Sequence, residues 1–286
     1  MTDAKTRIAV IVTCYNRREL TLASLAAVTA AGARADVELA IFLTDDGSSD
    51  GTADAVRAAF PNVTILQGDG SLFWNQGMLR AWQAAVTAAP DFYLWLNDDL
   101  AVNPDALANM LACYKAAPSA KTIVVGRTVD PVSGDTTYGA YERAPGWSRL
   151  RFVHLRDPAG EGVTMNGNFV LIPASAVADI GMNHPAYRHS TGDVDYGLRA
   201  TRAGYAIRQC PQPVGEQERN HAYALRTSRM TIGTMGKMLR DPKGVDAREW
   251  LTFTREHGGP LWPVNFIYRY IKMLVTGHLR PAGKPG

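Results

Sequence analysis

Short apolar runs alternate with helix-period segments through the first hundred residues, and this alternation limits the fold more than any other feature of the chain. Residues 8–12 read IAVIV, 37–43 VELAIFL, 63–66 VTIL and 92–96 FYLWL. IAVIV, apolar throughout and mostly β-branched, predicts a parallel strand buried on both faces, and the other three runs read as further strands. Between them, residues 18–31 place Leu20, Leu22, Leu25 and Val28 among alanines. Residues 52–59 follow Asp50, a capping residue, and stop before Pro61; residues 75–88 carry Met78, Leu79, Trp82, Ala85 and Val86 at helical spacing; residues 105–114 complete the set. Strand then helix, repeated, predicts βαβ units and an α/β fold whose mostly parallel central sheet is flanked by helices.

The second half is less regular. Residues 122–125, 165–172 and 206–210 read as strands and 193–203 as a helix. Residues 128–162, rich in Gly, Pro and Asp, read as loops with short antiparallel strands. Beyond them the pattern is helical, with loops at Pro242 and at Gly258-Gly259-Pro260.

Composition excludes several classes. The chain of 286 residues is 46% hydrophobic and 20% charged, ordinary for a globular domain with a sizeable core. A formal net charge of +3 is too small to suggest a nucleic-acid partner. The three cysteines (Cys14, Cys113, Cys210) have neither zinc-site nor disulfide spacing, and no signal peptide or membrane-spanning run of roughly 20 apolar residues is visible. The expectation is a cytoplasmic protein. From His221 onward, however, eleven basic residues face only four acidic ones.

In parallel α/β sheets ligands sit beyond the carboxyl ends of the strands. Three polar clusters fall there: Thr13-Cys14-Tyr15-Asn16, Asp45-Asp46 and Asn97-Asp98-Asp99. Adjacent carboxylates at the end of a buried run repel each other, and a hard divalent ion such as magnesium or manganese relieves that repulsion. A plain turn is the competing reading. Asp46 is placed to accept a base N–H or a ribose hydroxyl, although the loop lacks a dinucleotide or P-loop glycine pattern. Asp193 and Asp195, in HSTGDVDYGLRATRAGY, either cap a helix or supply a general base.

The segments VIVTCYNR, FLTDDGSSDGT, LWLNDDL and GDVDYGLRATRAGY, in this order, resemble family 2 glycosyltransferases over about residues 7–210. The resemblance implies the GT-A fold, which binds nucleotide sugars, and transfer with inversion at the anomeric carbon. It implies that Thr13, Tyr15 and Asp46 hold the nucleoside, with Asn16 beside them, that Asp98 lies near the ribose, that Asp99 binds Mn2+ or Mg2+, and that Asp193 is the base. This chain has Asn97-Asp98-Asp99 where the family has Asp-x-Asp, and Gly192 where an acid often precedes the base. The tail, with DPKGVDAREW and HGGPLWP, is similar to bacterial enzymes of surface-polysaccharide synthesis.

Other residues carry two readings each. Trp74 either stacks on a sugar or base or belongs to the core; Asn75 either caps a helix or touches the sugar. Gly167 and Asn168 either border donor sugar and acceptor or form a turn. His221 either completes the metal shell or is an ordinary solvated histidine. Residues 262–279 carry an apolar helix face that packs, dimerises or lies peripherally on a membrane. The expected organisation is a catalytic domain, 1–220, and a basic, aromatic-rich helical extension, 221–286. The expected partners are a nucleoside diphosphate sugar, thymidine- or uridine-linked, and a saccharide or lipid-linked acceptor. The rivals are a nucleotidyltransferase, disfavoured because TCYNRREL has no glycine, and a catalytically silent nucleotide-sugar-binding scaffold.

Overall fold

The structure, a computed structural model, describes residues 5–189, 191–218, 236–237, 239–243 and 246–279. The first half alternates as expected: β1 (Arg7–Cys14), α1 (Arg18–Arg34), β2 (Glu38–Asp45), α2 (Thr52–Ala59), β3 (Thr64–Gln67), α3 (Phe73–Ala85), β4 (Phe92–Asn97), β5 (Ala101–Val102) and α4 (Ala106–Lys115). β1 pairs in parallel with β2 on one side and β4 on the other, and β2 pairs in parallel with β3. The spatial order β3-β2-β1-β4 reverses the winding at β1, which opens a crevice at the carboxyl ends of β1, β2 and β4.

Side chains of β1 alternate between two cores, as the two-residue strand period requires. Ile8, Val10 and Val12 meet Leu25, Val28 and Met110 of α1 and α4; Ala9 and Ile11 meet Met78, Trp82 and Ala85 of α3. All five are essentially inaccessible to solvent, which is why the run contains no polar residue. Removing such an aliphatic side chain from water contributes about 1.5–3 kcal/mol.

The second half turns the sheet from parallel to mixed. It comprises β6 (Thr122–Val129), β7 (Thr136–Tyr138), β8 (Ala140–Arg143), β9 (Phe152–His154), β10 (Glu161–Gly162), β11 (Thr164–Met165), β12 (Phe169–Pro173), α5 (Ala174–Ile180), α6 (Gly192–Arg202) and β13 (Ala206–Glu216). β12 is antiparallel to both β4 and β6, whereas β13 is parallel to β6. β11, β8 and β9 form a separate small sheet. Two expectations change. The strand expected at 165–172 is two strands interrupted at Asn166–Asn168, and the strand expected to end at 210 continues through Pro211 and Pro213. The register of β13 on β6 shifts on either side of Pro213, and such irregularities accommodate residues that cannot donate to a ladder.

The C-terminal helices are α7 (Ala247–His257) and α8 (Trp262–Leu279). Asp246 caps α7 by accepting the N–H groups of Arg248 and Glu249. Phe253 of α7 packs with Tyr187 and Leu198 in a small core of its own. Arg188 pairs with Asp246 at 2.6 Å and Glu249 at 3.3 Å. The C-terminal helices thus clasp the segment that leads into α6. Among the described residues no helix is long and apolar enough to cross a membrane.

Candidate active site

The crevice is a cleft of about 320 Å³, within the usual range for small-molecule sites. It is lined by Thr13 and Cys14 at the end of β1, Tyr15 after it, Arg17 just before α1, Asp46 after β2, Gly70 in the loop before α3, Phe73 and Trp74 at the start of α3, Asp98 after β4, His189 and Lys243. Parallel register brings the strand ends to one level: Thr13 lies opposite Thr44 on one side and Asn97 on the other.

The paired acids hold one cation in common. Arg17 Nη1 donates to Asp98 Oδ1 at 3.0 Å and to Asp99 Oδ2 at 2.6 Å. Asp98 is buried, and burial pushes its carboxyl up to about 7, Arg17 pulling it down and Asp99 pushing it further up. Asp99 is a quarter exposed and its Oδ1 accepts from Gln217 Nε2 at 2.5 Å. Gln217 Oε1 in turn accepts from Asn168 Nδ2. The Asn168 Oδ1 atom is buried with no hydrogen-bond partner among the described residues. Two converging carboxylates that share a single guanidinium, and an unfilled amide oxygen in the same network, make a donor set that fits a hard divalent cation. His221 lies outside the described residues.

Asp46 organises the loop that starts α3. Its carboxylate accepts the backbone N–H groups of Gly70 (2.9 Å), Leu72 (3.2 Å) and Phe73 (2.9 Å). Phe73 is held at φ 55, a conformation costly for a bulky residue. Asn16 (φ 51) and Thr191 (φ 67) share that left-handed region, which asparagine adopts readily and a β-branched threonine does not. Asn16 Oδ1 accepts from Ser49 N, tying the end of β1 to the loop after β2. Tyr15 is half exposed at the mouth. Lys243 brings its ammonium 5.8 Å from the Phe73 ring centroid, so the C-terminal segment also reaches the cleft.

Trp74 both lines the cleft and packs on the core. Its Nε1 donates to Asn97 Oδ1 at 2.9 Å and its ring meets Trp95 edge-on. Asn75 is the third residue of α3 rather than its cap. It is fully buried, and its Nδ2 donates to the carbonyls of His184 and Tyr187, joining α3 to the segment before α6.

Asp193 opens α6 and points at the turn between β11 and β12. Its Oδ2 accepts Gly167 N–H at 2.9 Å and its Oδ1 accepts its neighbour Val194 N–H at 2.8 Å. Burial raises its carboxyl above the ordinary range despite these bonds and one from Asn166. Asp193 does not itself line the cleft, but Gly167, which donates to it, lies against Trp74, which does; a carboxyl whose protonation is poised by burial beside that wall suits a general base. Asp195 is differently placed: fully buried, it accepts from Arg199 Nε and from His257 Nε2, each at 2.8 Å. Asp195, His257 and Glu256 lie close enough to share a metal ion, but the two inward bonds already occupy both oxygens of Asp195.

Arg17, Phe73, Gln217 and Lys243 join the site without having been singled out in the sequence. Arg17 ends the quoted VIVTCYNR and Lys243 lies in DPKG, but nothing local marks a contact across 81 residues of chain. Cys14 lines the cleft, and burial, then the charges of Asp45 and Asp98, push its thiol far up, which disfavours the thiolate.

Comparison with known proteins identifies the family and the fold. The profile described as "Glycosyltransferase like family 2" matches residues 6–236. No curated protein matches the chain. Among solved structures, the mannosyltransferase PcManGT from Pyrobaculum calidifontis, in complex with GDP-Man and Mn2+, superposes with a TM-score of 0.59 at 16% identity, covering 96% of this chain and 74% of that one. The architecture is the GT-A fold, and the chain belongs to the glycosyltransferase-like family 2.

Proposed function

We propose that this family member is an inverting, metal-dependent glycosyltransferase that moves a sugar from a nucleoside diphosphate to a hydroxyl of a saccharide or lipid-linked acceptor during cell-surface polysaccharide assembly. One observation carries the reading: Asp98 and Trp74 line the same cleft, and the lone carboxylate Asp193 is joined to that wall through Gly167, which lies against Trp74 and donates its N–H to Asp193. The nucleoside rests among Thr13, Tyr15, Asn16 and Asp46, and the sugar lies toward Trp74, Asn75, Gly167 and Asn168. Asp193 takes the proton of the acceptor hydroxyl as that oxygen attacks the anomeric carbon. The bond from that carbon to the diphosphate oxygen breaks, and the nucleoside diphosphate leaves with the electron pair. A single displacement of this kind inverts the centre.

Asp99 and Asp98, with the Asn168 amide oxygen nearby, would hold Mn2+ or Mg2+, and His221 is a further candidate ligand. When bound, the metal supplies charge stabilisation at the departing diphosphate. Arg17 and Lys243 add positive charge on the same side. The neighbour's GDP-Man and Mn2+ support the class of donor and ion, while the nucleoside, thymidine, uridine or guanosine, is chosen by experiment. The division into a catalytic domain, 1–220, and an extension, 221–286, belongs to the same proposal, with the extension buttressing α6.

The test is calorimetric binding of UDP, GDP, dTDP, CDP and ADP, with and without Mn2+, to the wild type and to Asp99→Ala. Metal-dependent binding of one nucleotide, lost in the variant, is expected. Failure of every nucleotide to bind under either condition would overturn the reading in favour of a silent scaffold.

A further inference from the structure

Among the described residues, one face of α8 is left largely uncovered. Val264, Ile267, Tyr268, Ile271 and Val275 are each about half exposed (48–54%) and recur at helical spacing, so they form a single stripe. The opposite face does the packing: Asn265 and Met273 are buried, and the Arg269 guanidinium lies 4.2 Å from the Trp250 ring centroid. Trp147, also half exposed, widens the stripe sideways, its ring edge-on to Tyr268 with centroids 5.3 Å apart. An aliphatic stripe bordered by Trp and Tyr suits the boundary between water and hydrocarbon.

Charge identifies the occupant. The loop that carries Trp147 reads RAPGWSRLR, with Arg143, Arg149 and Arg151. Arg149 reaches the corner between α7 and α8, its Nη1 3.3 Å from where a β-carbon on Gly259 would stand. Arg202 joins the same corner by donating to the Glu256 carbonyl, and Arg255 lies over the Trp262 ring. None of these five arginines has a carboxylate within ion-pair distance among the described residues. Glu142, next to Arg143, is taken by Arg156. Burial, then the like charges of Arg149 and Arg202, hold the Arg143 guanidinium below its usual range, as expected where cations are gathered without compensation. From His257 to the last residue the sequence has no acidic side chain. A second copy of this face would set cations against cations, whereas an anionic surface neutralises them.

We propose that the α8 stripe and the Trp147 loop form one docking face for an anionic lipid bilayer, the aliphatic and aromatic side chains entering the headgroup region and the arginines meeting lipid phosphates. The helix lies on the surface and does not span it. The face is rigidly tied to the cleft: His257 at the end of α7 bonds Asp195 of α6, two residues beyond Asp193. Docking would therefore present the cleft to a lipid-linked acceptor, a consequence that rests on the transferase reading above, whereas the docking itself does not.

The experiment is co-sedimentation of the full chain with vesicles of phosphatidylcholine alone and of an equal mixture with phosphatidylglycerol, at low and high salt. Ile267→Asp/Ile271→Asp and Arg149→Glu/Arg151→Glu are compared, each checked for an unchanged melting curve. Wild type is expected to favour the anionic vesicles by about tenfold or more, less at high salt, and both variants to lose the preference. Equal sedimentation with both vesicle types, or none with either, would overturn the proposal. So would a dimer by analytical ultracentrifugation that the aspartate variant abolishes while vesicles are ignored. Nucleotide binding measured in parallel separates the two readings: vesicle binding without nucleotide binding sustains the docking face and removes the transferase.

Discussion

Gly167 sits against the edge of Trp74 so closely that a β-carbon at 167 would lie 2.4 Å from Cη2 and 2.6 Å from Cζ2 of the indole. The same residue donates its N–H to Asp193. One glycine therefore fixes the distance between the aromatic wall of the cleft and the carboxylate we assign as base. The prediction for Gly167→Ala follows from the ring's rigidity. The indole cannot yield without disturbing its bond to Asn97 and its contact with Trp95. Thermal denaturation should show a loss of about 1–3 kcal/mol. Turnover should fall by more than the remaining folded fraction explains, because Asp193 is displaced too. Unchanged stability would show that the turn has room that the geometry denies it.

Arg17→Gln separates the two roles of the acidic pair. Without the guanidinium, burial and the charge of Asp99 go largely unopposed, so Asp98 takes up a proton at neutral pH, and the metal-free protein should lose about 1–3 kcal/mol there, measured by urea denaturation. A divalent ion would then no longer compete with Arg17. Titration of Mn2+ by electron paramagnetic resonance should accordingly show tighter binding in the variant, by about tenfold. Weaker binding would mean that Arg17 supports the ion rather than standing in for it.

The parallel half of the sheet was legible because short apolar runs between helix-period segments mark strands; IAVIV and FYLWL are buried as such runs require, whereas β3, at the sheet edge, is only partly buried. The helices between the runs were legible from period alone. What periodicity could not carry was the interruption of residues 165–172 by the turn at Asn166–Asn168, because apolar Met165 and Phe169 flank it as they would a single strand. The extension of β13 past Cys210 was hidden by Pro211 and Pro213, which argue against a strand unless its register shifts. The acids of the site announced themselves by being costly where they stand. Arg17, Gln217 and Lys243 did not, since a solvated basic or amide residue in a loop is unremarked until the fold brings it to a carboxylate or a cleft. Asn75 gave the opposite lesson: a residue at the right place for a cap spends its amide joining two segments 109 and 112 residues away in sequence.

Asp193 predicts a shift in the pH dependence of turnover. Its folded carboxyl holds its proton to a higher pH than a free aspartate, near 3.9, because burial outweighs the bonds from Gly167, Val194 and Asn166. A base works only when ionised, so kcat/KM should fall on acidification at a pH above the ordinary aspartate range. Asp193→Asn should abolish turnover at every pH while leaving nucleotide affinity within about twofold. An acid limb that survives in the asparagine variant would assign the titration to another group.

Asp195 makes the opposite prediction, for stability rather than turnover. Burial alone would raise its carboxyl, but the hydrogen bond from His257 and the charge of Arg199 outweigh it and hold the group below its ordinary range. A carboxylate depressed in the folded state stabilises the fold at pH values above the unfolded value, near 3.9, and the contribution is lost as pH falls from there through the folded value. Asp195→Ala leaves Arg199 and the ring nitrogen of His257 without their acceptor and should cost about 3–5 kcal/mol at neutral pH. The gap between wild type and variant should narrow steadily below about pH 4, as the wild type loses what the variant never had. The measurement is a series of urea melts from neutral to acid pH. Because α6 carries both residues, the same variant should also reduce turnover, but with the wild-type acid limb retained in whatever activity remains. A constant gap across the whole range would mean that Asp195 matters to the fold through packing and not through its charge.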